Sequence, residues 1–465
     1  MLEPLVEELH PAPTAEAAFL KLCRRPHCLF LDSALRDPEL GRYSFLAADP
    51  FDYFQLPADG SDGLEELARR TAALKSLSVE GLPPFQGGAA GMFAYDLAHS
   101  LERLPRPKFD EFHVPALAVG LYDVVIVFDH LDSRAWIISQ GLPEVQPHRR
   151  RRRAADRLRQ CQSWLDSDES GPLTAATRPV PSEQLARQFP VDGPPALTSN
   201  FPIDGYHAAV ERAIKYIEAG DIFQVNLAQR LLHPAGDDSV SLYLRLRDRN
   251  PATFAGYFDL GQFQIVSASP ERFLCVRDHQ VEARPIKGTR QKTSLPEADL
   301  FAGDDLRASE KDRAENVMIV DLLRNDISRV CKADSVHVTQ LCQLEIYQYV
   351  QHLVSAVRGE LADGLTSLDL VRAAFPGGSI TGAPKLRAME IIAELEPTAR
   401  GPYCGSLGYV GFDGTSDMSI LIRTITAGRG WWQLPVGGGI VAQSVPQSEY
   451  EETWHKAAGM IHALI

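Results

Sequence analysis

Cysteine is scarce: seven in 465 residues, at positions 23, 28, 161, 275, 331, 342 and 404. The number is odd and no C-x-x-C pair occurs, which argues against a disulfide framework or a structural zinc site and predicts reduced thiols. Long apolar runs are missing as well. The richest, 114–128, is broken by Asp123 and is too short to span a bilayer. The amino terminus, MLEPLVEELHPAP, lacks the basic start and apolar core of a secretory signal. Positive charge is in deficit, with 47 Lys and Arg against 61 Asp and Glu, a formal charge of −14. That balance disfavours a general binder of nucleic acid or anionic membrane. These absences leave a soluble, cytoplasmic protein.

What is present is ordinary globular material, 45% hydrophobic and 23% charged, enough for a large core. The length allows about three small domains or two large ones. A Pro-, Ser- and charge-rich stretch at 141–200 marks a soft boundary. We therefore divide the chain into an N-terminal part, 1–195, and a C-terminal part, 196–465. The five arginines at 149–153 are either a nucleic-acid patch or, the blander reading, the solvated face of an amphipathic connecting helix.

Before the boundary, LFLDSAL, GRYSFLAADP, QGGAAGMFAYDL and ALAVGLYDVVIVFDH read as strands punctuated by Gly and Pro. After it, Asp204 is a candidate cap for the helix YHAAVERAIKYIEA, which Gly220 stops. A strand, DIFQVNLAQRLL, follows. SLGYVGF, MSILIRTITA and WWQLPV, joined by DGTSD and GRG turns, read as an antiparallel meander. The class is α+β with large, mainly antiparallel sheets.

Two acidic pairs carry potential chemistry. Asp312 and Glu315 lie three apart on one face of the helix KDRAENVMIVDLLRND. In the last helix, SEYEETWHKAAGMIHAL, Glu449, Glu452 and Lys456 share a face, and Ser448 with Glu451 has capping-box spacing. Carboxylates with water suit Mg²⁺, but each pair alone is equally a solvated helix face, and a metal needs something to bring the two helices together.

FPGGSITGAPK has phosphate-loop glycine spacing, yet Ala383-Pro384 replaces Lys-Ser/Thr, so it is not a Walker A loop. Ser379 and Thr381 could still face an anion near the helix start at Pro384. Gly437, Gly438 and Gly439 allow close approach of a ligand to backbone, or mark a bulge. Lys287, in ARPIKGTR, has Arg284 and Arg290 three residues away on either side. Cationic neighbours and desolvation disfavour its ammonium form and yield a free amine, unless the side chain is simply exposed. Glu271, in SASPERF, is half-buried by context and suits a general acid or an arginine partner.

At these residues the sequence resembles the chorismate-utilising enzymes. SPERF, PIKGT, KDRAENxMIVDLLRND, FPGGSITGAPK, PYCGSLGY, IRT, GGGIV and EYxETxxKA occur in register from about 204 to 457, with QGGAAGMFAYDL and LxVGLYD extending the likeness forward. Within the family, Gln224 combined with the lysine of PIKGT is the pattern of the aminodeoxychorismate synthase large subunits. Anthranilate synthases typically have alanine at the position of Lys287, and isochorismate and salicylate synthases have lysine at that of Gln224.

The resemblance implies two large antiparallel sheets packed face to face, with flanking helices and a cleft. It implies Mg²⁺ on Glu315 and Glu452, with Asp312 and Glu449 nearby through water. Tyr403, Arg423, Lys456 and the backbone of Gly437, Gly438 and Gly439 would position chorismate. Gln224, Thr289, His352, Ser379 and Thr381 would line the cleft. Lys287 would attack C2 while Glu271 protonates the departing C4 hydroxyl, and ammonia would then displace the lysine at C4. No G-x-C-x-G elbow occurs, so a separate glutamine amidotransferase chain would supply the ammonia; Cys404 reads as a small core residue. The family also has a tryptophan pocket, matched loosely by Ser33, Arg42 and Tyr43, and by Thr253, Phe254 and Ala255 in NPATF, which departs from the usual NPSPF/Y. The competing readings are an anthranilate synthase component, which would aminate C2, and a catalytically silent tryptophan-binding scaffold.

Overall fold

In the computed structural model the described residues are 3–167, 178–291, 303–306, 309–346 and 350–465. Two antiparallel sheets dominate. In the first, of 13 strands, neighbours run from Leu5–Glu8 at one edge through Arg134–Ser139, Val124–Asp129, Tyr43–Ala47, Leu29–Asp32, Phe254–Asp259, Phe263–Ser269, Thr424–Gly428, Trp431–Ile440 and Gln224–Pro234. The second, of 10 strands, runs from Ile286–Gln291 through Val350–Glu360, Gln280–Ala283, Arg272–Arg277, Ser416–Ile420, Ser406–Gly411, Gly88–Phe93 and Leu117–Tyr122 to Asp52–Leu56. This is an α+β fold of two large antiparallel sheets with flanking helices. Each sheet takes strands from both sides of residue 195: Leu31 registers with Gly256 in the first, and Gly91 with Gly408 in the second.

The physical basis is plain in the strands. Gly88–Phe93, Leu117–Tyr122 and Val124–Asp129 are buried at every position, so they read as continuous apolar runs rather than alternating ones. One core cluster joining Phe45, Phe85, Tyr122, Leu407 and Tyr409 fills the space between the sheets at the N-terminal end. A second packs helices Ala15–Leu22 and Ser239–Arg249 and the end of Pro446–His462 on the first sheet.

The arginine run forms part of the helix Pro147–Asp166. Arg149, Arg151 and Arg152 are exposed, but Arg150 and Arg157 are buried. Arg153 and Arg157 both bond the fully buried Asp123, at 3.2 and 3.1 Å, and Arg150 donates to Gln140 O at 2.9 Å. The aspartate that breaks the apolar stretch is therefore the anchor of this helix. A buried carboxylate is retained only when paired, and two guanidiniums pair it here.

Four local expectations are corrected. Asp204 lies in the first turn of Ile203–Glu218, and Pro202 is at the cap position. Gly220 does end that helix, at φ +80. The last helix starts at Pro446 rather than with a Ser448 capping box; Ser444 instead donates to Glu449 Oε1 at 2.6 Å. MSILIRTITA is not one strand: Ser416–Ile420 belongs to the second sheet and Thr424–Gly428 to the first. Finally, the DIFQ strand begins at Gln224.

Candidate active site

That split strand is one place where the chain crosses between the sheets, and a second crossing lies beside it. The other is Ser269 to Arg272, between Phe263–Ser269 and Arg272–Arg277. Glu271 sits on one crossing and Arg423 on the other. The crossings are tied together, since Ile420 N–H donates to Glu271 O at 3.0 Å and Ser269 Oγ to Ile420 O at 2.5 Å. Pleated strands alternate their side chains and present backbone bonds sideways. A crossover frees a residue from both constraints, which lets both charged groups point into the space between sheets.

Glu271 is 5% exposed. Desolvation raises its carboxyl to about 7, opposed by a hydrogen bond from Ser379 and by the nearby charges of Lys287 and Arg423. Ser379 Oγ donates to Glu271 Oε1 at 2.8 Å, and Ser379 O accepts from Lys287 Nζ at 3.1 Å. One residue of the FPGGSIT turn thus holds both the candidate acid and the candidate nucleophile.

Lys287 owes its direction to Gly288, which adopts φ +69 where the register with Val350–Glu360 shifts between Lys287 and Thr289. This is a glycine β-bulge, which re-aims the flanking side chain. A Cβ at Gly288 would stand 2.6 Å from Leu306 Cδ1 and 3.1 Å from Asp312 Cγ, so only glycine fits. His352 pairs across the bulge and hydrogen-bonds the Gly288 backbone; burial lowers its ring to about 4, so it is neutral at physiological pH. Arg284 does not act as a cationic neighbour of the lysine, because it is paired with Glu345 at 2.5 Å and with Glu39 at 3.6 Å. The side chains of Thr289 and Arg290 lie outside the described residues.

Two of the three glycines, Gly438 and Gly439, stand next to carboxylates of the two acidic helices. A Cβ at Gly438 would lie 3.3 Å from Glu452 Oε1, 3.4 Å from Lys456 Nζ and 3.5 Å from Glu449 Oε2. One at Gly439 would lie 3.5 Å from Glu315 Oε2 and would collide with the Gln224 amide. Gly437 serves sheet packing, its Cβ position overlapping Leu227 O. Lys456 Nζ contacts Glu452 Oε1 at 2.5 Å and donates to Gly437 O at 2.9 Å. Desolvation lowers the Lys456 ammonium, and the charges of Arg423 and Lys287 add to this.

Among the described residues no three His, Cys, Asp or Glu side chains converge as a ligand set. Mg²⁺ needs only one or two protein carboxylates, with water and substrate anions completing its shell. The carboxylate oxygens of Glu449 and Glu452 beside Gly438 and of Glu315 beside Gly439 are donors of the kind that ion takes, with Lys456 Nζ and the Gln224 amide next to them.

Arg423 takes φ +52, a conformation L side chains rarely adopt, and burial lowers its guanidinium. Tyr403, Glu452 and Glu271 lie near enough to oppose that shift. No ion pair joins Arg423 to another described residue. Arg423 is partly exposed, so its guanidinium has access to the space beside Glu271 and Glu452. Tyr403 is buried beside Cys404, itself fully buried. Thr381 is placed differently from its sequence reading: its hydroxyl donates to Gly377 O at 3.0 Å and closes the turn instead of facing the cleft.

Ser33, Arg42, Tyr43, Thr253, Phe254 and Ala255 all line one other cavity, between the sheets, enclosing about 570 Å³ with its open mouth. Its opposite wall is Leu407, Gly408, Tyr409 and Asp417. Arg42 is engaged by Asp129 at 2.6 Å.

The chorismate binding enzyme model matches residues 31–462. The chain belongs to the chorismate-binding enzyme family. It is 39% identical over 461 residues to anthranilate synthase component 1 of Thermus thermophilus, covering 97% of this chain and 95% of that one. It is 37% identical over 467 residues to aminodeoxychorismate synthase component 1 of Escherichia coli, covering 97% and 96%. The crystal structure of anthranilate synthase component I from Streptococcus pneumoniae superposes with a TM-score of 0.75 at 31% identity, covering 92% and 93%. Members of the family with two different activities are thus about equally similar to this chain.

Sequence reasoning missed one feature of the family site here. Glu396 and Arg400 form a buried pair directly behind it, with side chains 5% and 3% exposed. Their four-residue spacing was the available signal, hidden because Pro397 ends the helix between them.

Proposed function

We propose that the chain is the chorismate-aminating component of an aminodeoxychorismate synthase, adding nitrogen at C4 with the pyruvyl ether intact. The observation that carries this reading is the junction of Lys287 and Glu271 through Ser379. A primary amine beside a carboxyl near 7 suits a covalent route, and an alanine at position 287 would leave no such nucleophile.

In this reading the chorismate dianion is held by Arg423 and Lys456, with Tyr403, His352 and Gln224 lining the cleft. Glu315 and Glu452, with Asp312 and Glu449 through water, would hold Mg²⁺, whose charge when bound complements the ring carboxylate. Protonated Glu271 donates to the C4 hydroxyl, which leaves as water while the Lys287 amine forms the N–C2 bond and the ring double bond shifts. Ammonia then bonds at C4, the C2–N bond breaks, and Lys287 departs as a free amine. The new ammonium returns a proton to Glu271. Two easier displacements replace one hard one. A separate glutamine amidotransferase would supply the ammonia, and the cavity around Ser33 and Phe254 would take an aromatic amino acid such as tryptophan.

The second reading, an anthranilate synthase component, is favoured by the 39% identity to the Thermus thermophilus enzyme. Chorismate, ammonium and Mg²⁺ are incubated with the protein, with and without an aminodeoxychorismate lyase. Lyase-dependent para-aminobenzoate supports the proposal; lyase-independent anthranilate fluorescence replaces it with the second reading. No reaction at all supports a silent tryptophan-binding homologue.

A further inference from the structure

Arg400 occupies the wall behind the reacting groups and uses its guanidinium as a four-way tie. Nε and Nη2 bond Glu396 at 2.9 and 2.6 Å, Nη1 donates to Ile380 O at 3.0 Å, and Nη2 donates to Asn226 O at 2.7 Å. Glu396 Oε1 also accepts the Ala228 N–H at 2.9 Å. Ile380 follows Ser379, and Asn226 lies two residues from Gln224 on the same strand. The guanidinium also lies over the rings of Tyr95 at 4.7 Å and Tyr403 at 5.8 Å. A planar fork of fixed donors defines the relative placement of what it binds, which a flexible ammonium does not.

We propose that Arg400, oriented by Glu396, is a positioning residue that sets Ser379 against Glu271 and Lys287 and fixes the strand bearing Gln224. This rests on the reading that Glu271 and Lys287 are the reacting groups. Arg400 acts through the Ile380 carbonyl: a shift of that peptide moves Ser379, whose hydroxyl and carbonyl bond both groups. A buried ion pair gives little net stability against an apolar pair, so a guanidinium that also ties two backbone carbonyls at this place is better explained by the geometry it imposes.

The test compares Arg400→Lys, Ser379→Ala and the double variant. Chorismate consumption is followed, whatever the product, from about pH 5.5 to 9. Lysine cannot hold both carbonyls and both Glu396 oxygens. The expected result is a folded protein with kcat about ten- to a hundredfold lower and little change in KM. Its alkaline limb moves to higher pH, because the Ser379 bond that favours the Glu271 carboxylate is weakened. The groups facing that carboxyl are otherwise Lys287, Arg423 and Cys404, and none is altered. The double variant should be no slower than the slower single variant by more than about twofold, as expected when one residue acts through the other.

Independent, multiplying losses, or an unchanged alkaline limb in a folded protein, would overturn the inference. If Arg400→Lys does not fold, Glu396→Gln carries the same measurements, since it keeps an acceptor for Ala228 N–H while releasing the fork. An isotope-edited infrared titration of the Glu271 carboxyl reads the same shift without turnover. Failure of the amination reading, seen as a different product or none, is therefore distinguishable from failure of this one.

Discussion

Ser379 Oγ lies 2.8 Å from Glu271 Oε1 and donates its proton there. This bond favours the charged carboxylate and so works against burial, which raises the group to about 7. Removing it in Ser379→Ala should raise that value by about one pH unit more. The pH–rate profile for chorismate consumption should extend correspondingly toward alkaline pH, with a lower maximum because the Glu271 carboxyl loses the donor that holds it in place.

Glu271 should also trade stability for function. Its folded value of about 7 stands above the ordinary 4.5. Above pH 7 the folded protein must bury a charge that the unfolded chain keeps in water, at a cost of ~3 kcal/mol. The cost diminishes as pH falls from 7 to 4.5 and is gone below. Glu271→Gln should therefore lose about 10²–10⁴ in rate yet melt higher than wild type at pH 8. The difference in Tm should narrow by pH 5, and scanning calorimetry at the two pH values measures it.

Arg423→Gly should leave the protein at least as stable as wild type. Glycine relieves the φ of +52, worth about 1 kcal/mol, and removes a partly desolvated cation. Chorismate affinity should fall about a hundredfold or more, because a charged anchor is lost. Calorimetric titration and thermal melts read the two effects separately.

Gly288→Ala should do the opposite, damaging both. The left-handed backbone and the 2.6 Å approach to Leu306 require a shift of the bulge, costing ~2 kcal/mol. Lys287 would move with it. Denaturant unfolding and chorismate turnover measure the two, and an unchanged rate would show that the bulge does not aim the lysine.

Asp123→Ala should destabilise by about 3–5 kcal/mol, since Arg153 and Arg157 lose the carboxylate they share. Arg149→Ala, on the exposed face of the same helix, should change stability by less than about 0.5 kcal/mol. Urea titration of the two variants tests the contrast.

The sheets and many local elements were legible because burial leaves a period in the sequence. The apolar runs at 88–93, 117–122 and 124–128 and the Gly-bounded strands near the C-terminus are examples. Crossovers between sheets were not legible. MSILIRTITA has unbroken strand character, and nothing in its composition signals that Ile420 and Thr424 sit in different sheets. The same blindness applied to the arginine run, whose inward half is apparent only once Asp123 is known to be buried beneath it. The lysine, the acid and the glycine floor were readable as residues; that Ser379 joins two of them depends on a turn whose shape follows from tertiary contacts with Arg400.

The interleaving of early and late strands has a consequence for synthesis on the ribosome. The strands between Leu5 and Ser139 can pair among themselves, leaving Leu29–Asp32 and Gly88–Phe93 as naked borders. Their partners, Phe254–Asp259 and Ser406–Gly411, emerge more than 200 and 300 residues later. At about 5–20 residues per second, those apolar borders wait for tens of seconds without a neighbour. Such nascent chains are open to mispairing, and holding chaperones should engage this protein before its last quarter is translated.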